Sequence, residues 1–133
     1  MIFFKVVGLE SLTSVVTLHV SMKSVVTVSF HQIGRKIETY IKRKMITTSR
    51  SDTGASVPGA FPASQTGQLR SSIDYKVKGW DTLEIRGQAP YSGFLEFGTG
   101  RMAARPFIEP GIRDNIKFAE MTIATNLRRA FGL

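Results

Sequence analysis

The chain has 133 residues, enough for one domain built around a single core, and 42% of them are hydrophobic, which excludes wholesale disorder. Eighteen Lys and Arg against ten Asp and Glu leave a net charge of +8, a balance that favours nucleic acid, an anionic membrane or an acidic protein surface as partner. There is no cysteine, so a disulfide framework and thiolate metal sites are excluded.

Residues 1–20 stay open between two readings. Phe3, Lys5 and Val7 alternate as in a short strand, whereas Leu9, Leu12, Val16 and Val20 fall along one side of a helix. Lys5 and Glu10 interrupt the apolar run and no small-residue cleavage site stands out, which favours an N-terminal arm over a secretory signal. No stretch reaches the ~18 apolar residues of a membrane span, and no membrane partner is expected. From Met22 to Ile46 the pattern is clear. Val26, Phe30, Ile33, Ile37, Ile41 and Met45 recur at spacings of three and four and predict a long amphipathic helix. Lys42, Arg43 and Lys44 near its end suit the helix dipole.

The composition changes at Thr47. TTSRSDTGASVPGAFPASQT is rich in glycine, proline and small polar residues, and 47–66 reads as a long flexible loop between the first helix and the sheet. Loops of this length are uncommon inside compact domains unless they serve function, and a loop can order against a neighbour. Pro58, Phe61 and Pro62 are therefore candidate subunit contacts. After Leu69 the period becomes two. Ile73, Tyr75 and Val77 alternate with Asp74, Lys76 and Lys78, and Leu83 and Ile85 with Glu84 and Arg86. With Gly79-Trp80-Asp81 as the turn, this is an antiparallel hairpin with one apolar and one charged face. Trp80 at its tip either folds back over the hairpin or meets another subunit.

YSGFLEF, 91–97, predicts one or two helical turns placing Tyr91, Phe94 and Leu95 inward, stopped at Gly98. Glu96, between Leu95 and Phe97, is expected to be partly buried and paired with Arg101 or Arg105. Gly98-Thr99-Gly100-Arg101 lacks the spacing of a phosphate-binding loop and reads as a tight turn, followed by an extended Arg105-Pro106-Phe107. Ile108, Ile112, Ile116, Ala119, Ile123, Leu127 and Ala130 then form one sustained helical stripe, with Pro110 in its first turn and Gly132 as terminator. The fold class expected is α+β: two long amphipathic helices packed on a small antiparallel sheet, in a single domain over 1–133.

Few residues suggest chemistry. His19 and His31, the only histidines, have no cysteine or HExxH pattern beside them, and Glu96 has no identifiable carboxylate partner for acid–base work. No enzyme activity, metal or cofactor is expected. The positive charge is dispersed, with tight runs only at Lys42-Arg43-Lys44 and Arg128-Arg129, so non-specific contact with DNA is favoured over base reading.

Three elements in order carry a more specific signal. In PGAFPASQTGQLRSSI, Thr66, Gly67, Leu69, Arg70, Ser72 and Ile73 match a TG-x-L-[RK]-x-S-I element. In APYSGFLEFGTGRMAARPFIEPGI, Tyr91, Phe94, Leu95, Glu96, Phe97, Gly98 and Thr99 match Y-x-x-[YF]-[LVI]-E-[FY]-G-T. Ala104, Arg105, Pro106, Phe107 and Pro110 match the ARPF segment that follows. Over about residues 25–130 the chain resembles the HK97 gp10-like family of small siphophage proteins, called tail-completion, tail-terminator or head–tail joining proteins.

The resemblance implies a virion structural protein, made in the host cytoplasm. It implies a ring of copies, often six, at the head–tail junction, contacting the tail-tube protein and the head-closure connector and leaving a channel for the genome. Other readings are a stopper, tail-tube or minor tail protein, or a small non-specific DNA-binding protein.

Overall fold

A computed structural model describes residues 2–7, 19–48, 56–63 and 67–132, the first six and residues 19–21 by backbone alone. The elements are β1 (Ile2–Val7), α1 (His19–Thr47), α2 (Gln68–Ser71), β2 (Ile73–Lys78), β3 (Thr82–Gly87), α3 (Ser92–Phe97), α4 (Ile108–Arg113) and α5 (Ile116–Phe131). The fold is α+β. Residues 2–7 form the strand alternative, while residue 1 and residues 8–18 lie outside the described residues.

β3 is the central strand, antiparallel to β1 on one side and to β2 on the other. The register sets Tyr75 opposite Ile85 and Val77 opposite Leu83 on one face. On the other it sets Asp74 opposite Arg86 and Lys76 opposite Glu84, pairing opposite charges across the strands. Arg86 binds Asp74 through Nε at 2.8 Å and Nη2 at 2.6 Å, a fork-on-carboxylate contact. That hydrogen-bonded carboxylate raises the guanidinium pKa further. The second face is less open than the alternation implies, because Glu84 is buried and pairs with Lys78 at 2.7 Å.

The predicted stripe of α1 is the core. Val26, Phe30, Ile33, Ile37, Ile41 and Met45 are all fully buried, and they meet Ile73, Leu83, Ile85, Phe107 and Ile108. Burying a side chain of this size contributes about 1.5–3 kcal/mol, so this one face outweighs the weak helix preference of its β-branched residues. α5 runs antiparallel beside α1: Tyr40 bonds Asp114 at 2.7 Å, while further along Asn126 bonds Ser29 and Gln32, each at 2.9 Å. The Asp114 carboxylate, accepting this bond, holds the Tyr40 phenol above its ordinary pKa.

Two expectations need correction. The last helix is not continuous. It breaks at Asp114–Asn115, where buried Asn115 donates from Nδ2 to the Gly111 carbonyl at 2.7 Å. The break swings Ile116 outward and leaves Ala130 exposed, so Ala119, Ile123, Leu127 and Phe131 carry the packing of α5. The 47–66 segment is also not all loop. Thr47 closes α1, and the described part, 56–63, is docked on the body of the protein.

At Gly34 α1 packs directly on the sheet residue Tyr75, whose ring a Cβ there would overlap. Gly34→Ala is expected to cost about 2 kcal/mol, the overlap outweighing the helix propensity gained. In a Tyr75→Ala background the same change should become neutral or stabilising. Urea unfolding of the double-mutant cycle measures the coupling, and simple additivity would rule out the overlap as cause.

Candidate functional site

The three motif segments meet at α3. This helix has six residues, and its inward side carries Ser92 and Glu96. Phe94, expected inward, is instead 59% exposed, and Phe97 is 70% exposed, while Leu95 is half-buried against the core. With Phe94 and Phe97 three apart they share the outer face. The inversion has a physical cause in the partner that Glu96 finds.

Glu96, 4% exposed, bonds neither Arg101 nor Arg105. Its Oε2 accepts from the backbone N–H of Phe107 at 2.8 Å and of Ile108 at 3.0 Å, and Oε1 accepts from Glu109 N–H at 3.0 Å. Those are the opening N–H groups of α4, which have no partner within their own helix. A carboxylate there is favoured by the bonds and by the positive end of the helix dipole. The buried charge is thus matched by backbone donors. α3 and α4 are clasped together through one side chain.

Between them, the turn is built by its own residues. Gly98 adopts φ 75°, ψ 176°, and its N–H bonds the Phe94 carbonyl at 2.8 Å. A Cβ on Gly98 would lie 2.9 Å from both the Ala104 nitrogen and the Met102 oxygen. Thr99 Oγ1 accepts from the N–H groups of Arg101 at 3.2 Å and Met102 at 3.1 Å, so the glycine-threonine stretch is the tight turn expected.

The ARPF segment ties the remaining pieces in. Arg105 N–H donates to the Leu95 carbonyl at 2.7 Å, and its Nε donates to the Ser56 carbonyl at 3.0 Å. Gly59 N–H donates to the Ala104 carbonyl at 2.9 Å. Phe107 is fully buried in the core, with Pro106 half-buried before it. In the first element, Gly67 (φ 82°) precedes α2, Leu69 packs on the core and Arg70 is half-buried, while Thr66 lies outside the described residues. Tyr91, half-buried, reaches Gln68 of α2 through a long 3.5 Å contact.

The candidate subunit contacts divide. Pro62 is buried, and Phe61, half-buried, stands edge-on to Tyr40, ring centres 6.3 Å apart, so both pack on the chain's own core. Pro58 is exposed at the tip of the Pro58-Gly59 turn, beside exposed Val57. Trp80 is half-buried against the core, with the Lys23 ammonium 5.7 Å from its ring centre. Residue chemistry alone misses Phe94 and Phe97 as an outward pair, since their neighbours mark them as core. No group of three His, Asp or Glu able to hold a metal occurs among the described residues, and no described helix is long and apolar enough to cross a membrane. No family model, curated protein or solved structure matches the chain.

Proposed function

We propose that this protein is a virion structural component that forms a ring at the head–tail junction of a long-tailed phage, completing the tail and joining it to the head connector. The resemblance of the three motif elements supplies the role. The observation that carries it in physical terms is α3: one carboxylate clamps its inner side, and two phenylalanines stand on its outer side at fixed positions. Two aromatic rings side by side on an exposed helix face make a rigid apolar anchor of the kind that subunit contacts employ.

The contact is small. Two side chains fall well short of the ~800 Å² per partner of a stable pair, so free chains should stay apart and associate where the tail end and connector hold them side by side. A repeated head-to-tail contact of this kind closes into a ring.

Phe94→Ser with Phe97→Ser is expected to leave the unfolding midpoint within about 1 kcal/mol of the parent, since both are exposed, yet to abolish complementation of a phage lacking the gene. Electron microscopy of such a lysate should show filled heads beside unjoined tails, or tails of uncontrolled length. Normal infectious particles from the double variant would remove the assigned contact, and absence of the protein from purified virions would remove the role.

A further inference from the structure

Part of the positive charge is neutralised within the chain. Several basic side chains are already occupied: Lys42 with Glu38, Lys78 with Glu84, Arg86 with Asp74, and Arg113 with Glu109 and Asp114. Arg35, Lys36 and Arg43 are exposed on the outer face of α1 and form no ion pair with a described residue. Lys36 lies 5.5 Å over the ring of Phe118 on α5, which places that side of α5 next to this face. Phe118, Thr122, Thr125 and Arg129 follow at helical spacing along that side, and Arg129 is exposed. The one carboxylate of α5, Glu120, is two residues from Phe118 and so about 200° round the helix, on the far side. The carboxylates bordering this face are already held, Glu38 by Lys42 and Asp114 by Tyr40 and Arg113, so the two helices together present a cationic face.

We propose that the outer face of α1 and α5, with Arg35, Lys36, Arg43 and Arg129, binds the phosphate backbone of duplex DNA without regard to sequence. Guanidinium groups match phosphate oxygens in pairs and dominate this set, with three Arg to one Lys. Along α1, Arg35 and Arg43 are about 12 Å apart at 1.5 Å per residue, about the width of the major groove, which suits contact with phosphates on its two walls. An anionic membrane fits the face less well. A helix lying in a lipid interface needs a broad apolar side, and α1 commits its own to the core, leaving Val28 and Ile46 as separated exposures, while on α5 Phe118 and Met121 are exposed beside each other but flanked by the polar Thr122, Thr125 and Arg129. The binding itself needs no ring. That the duplex met is the packaged genome rests on the role proposed above.

The test uses the full chain and a fluorescein-labelled random-sequence 30-base-pair duplex, followed by anisotropy across a salt series. Wild-type protein should bind, with a slope of log K against log salt of about −3, from three to four released counterions. Arg35→Gln, Lys36→Gln and Arg43→Gln combined should weaken binding at least tenfold at low salt and flatten the slope to about −1. A control triple at other exposed or half-exposed cations, Arg70→Gln, Lys76→Gln and Arg101→Gln, should keep the wild-type slope. Circular dichroism confirms that each variant is folded. Equal losses in the two triples would overturn the assignment of the face. Failure of wild type to bind DNA at low salt, or binding through these residues only to vesicles containing phosphatidylserine, would overturn the partner. Particle assembly is read separately through the Phe94 and Phe97 variants, so either proposal can fail alone.

Discussion

Replacing Glu96 with alanine is expected to be among the most damaging single substitutions in this protein, costing about 3 kcal/mol or more. Three backbone N–H groups lose a charged acceptor at once, in a buried place where water does not readily replace it. Each charge-assisted bond contributes about 1.5–3 kcal/mol, and an orphaned buried donor costs about 1–3 kcal/mol. These terms overlap, so the total lies below their sum. Glutamine separates charge from shape. It keeps one carbonyl oxygen for two donors but turns an NH₂ toward the third, so Glu96→Gln should cost about 2 kcal/mol. Aspartate keeps the charge on a shorter arm and should not restore the loss. Thermal unfolding reads the series, with about 3–5 °C expected per kcal/mol for a chain of this size. If Glu96→Gln unfolds like the parent, the carboxylate is not the clasp.

Gly98→Ala comes second, at about 2–3 kcal/mol. Its backbone occupies a region (φ 75°, ψ 176°) that side chains other than glycine's hydrogen strain to adopt, at about 1–3 kcal/mol. The new methyl group would also press on backbone at Ala104 and Met102, which cannot turn aside as a flexible side chain does. Because Gly98 sits between the clasp residue and the segment it holds, the two substitutions should couple. The double variant is expected to lose less than the sum of the singles, since a turn already displaced leaves Glu96 out of reach of α4. Urea midpoints of the four proteins in the cycle settle it. Full additivity would make the turn and the clasp independent.

The parts of the fold that could be foreseen are those with many repeats of one signal. In α1 six apolar positions agree on a face, and in the hairpin the alternation is held over two strands joined by a turn. α3 offered only six residues, too few to fix a face by periodicity, and the residue that turned inward is a glutamate. Its partners are backbone N–H groups, which every residue but proline carries, so no residue type announces them. Arginine was the expected partner because side-chain chemistry is what a sequence displays. The stripe from Ile108 to Ala130 failed at Asn115 for a related reason: the bond from its side chain to the Gly111 carbonyl ends α4 where the apolar spacing would continue it. Phe61 and Pro62 are loop residues, as composition implies, and what composition does not show is that contact with Tyr40 and the core docks them on the domain.

The order of strands has a consequence during synthesis. β1 leaves the ribosome before β2 and β3, and β3, the strand it pairs with, begins about 75 residues later, with Val7 set opposite Thr82. At roughly 5–20 residues per second the first strand waits on the order of 4–15 seconds with its ladder unmade. The β2–β3 hairpin, closed by a short turn, can form in microseconds once translated. Translation therefore finishes a two-stranded platform before the earlier strand can dock on it, and the open edge of that strand is the part of the sheet left longest without its partner.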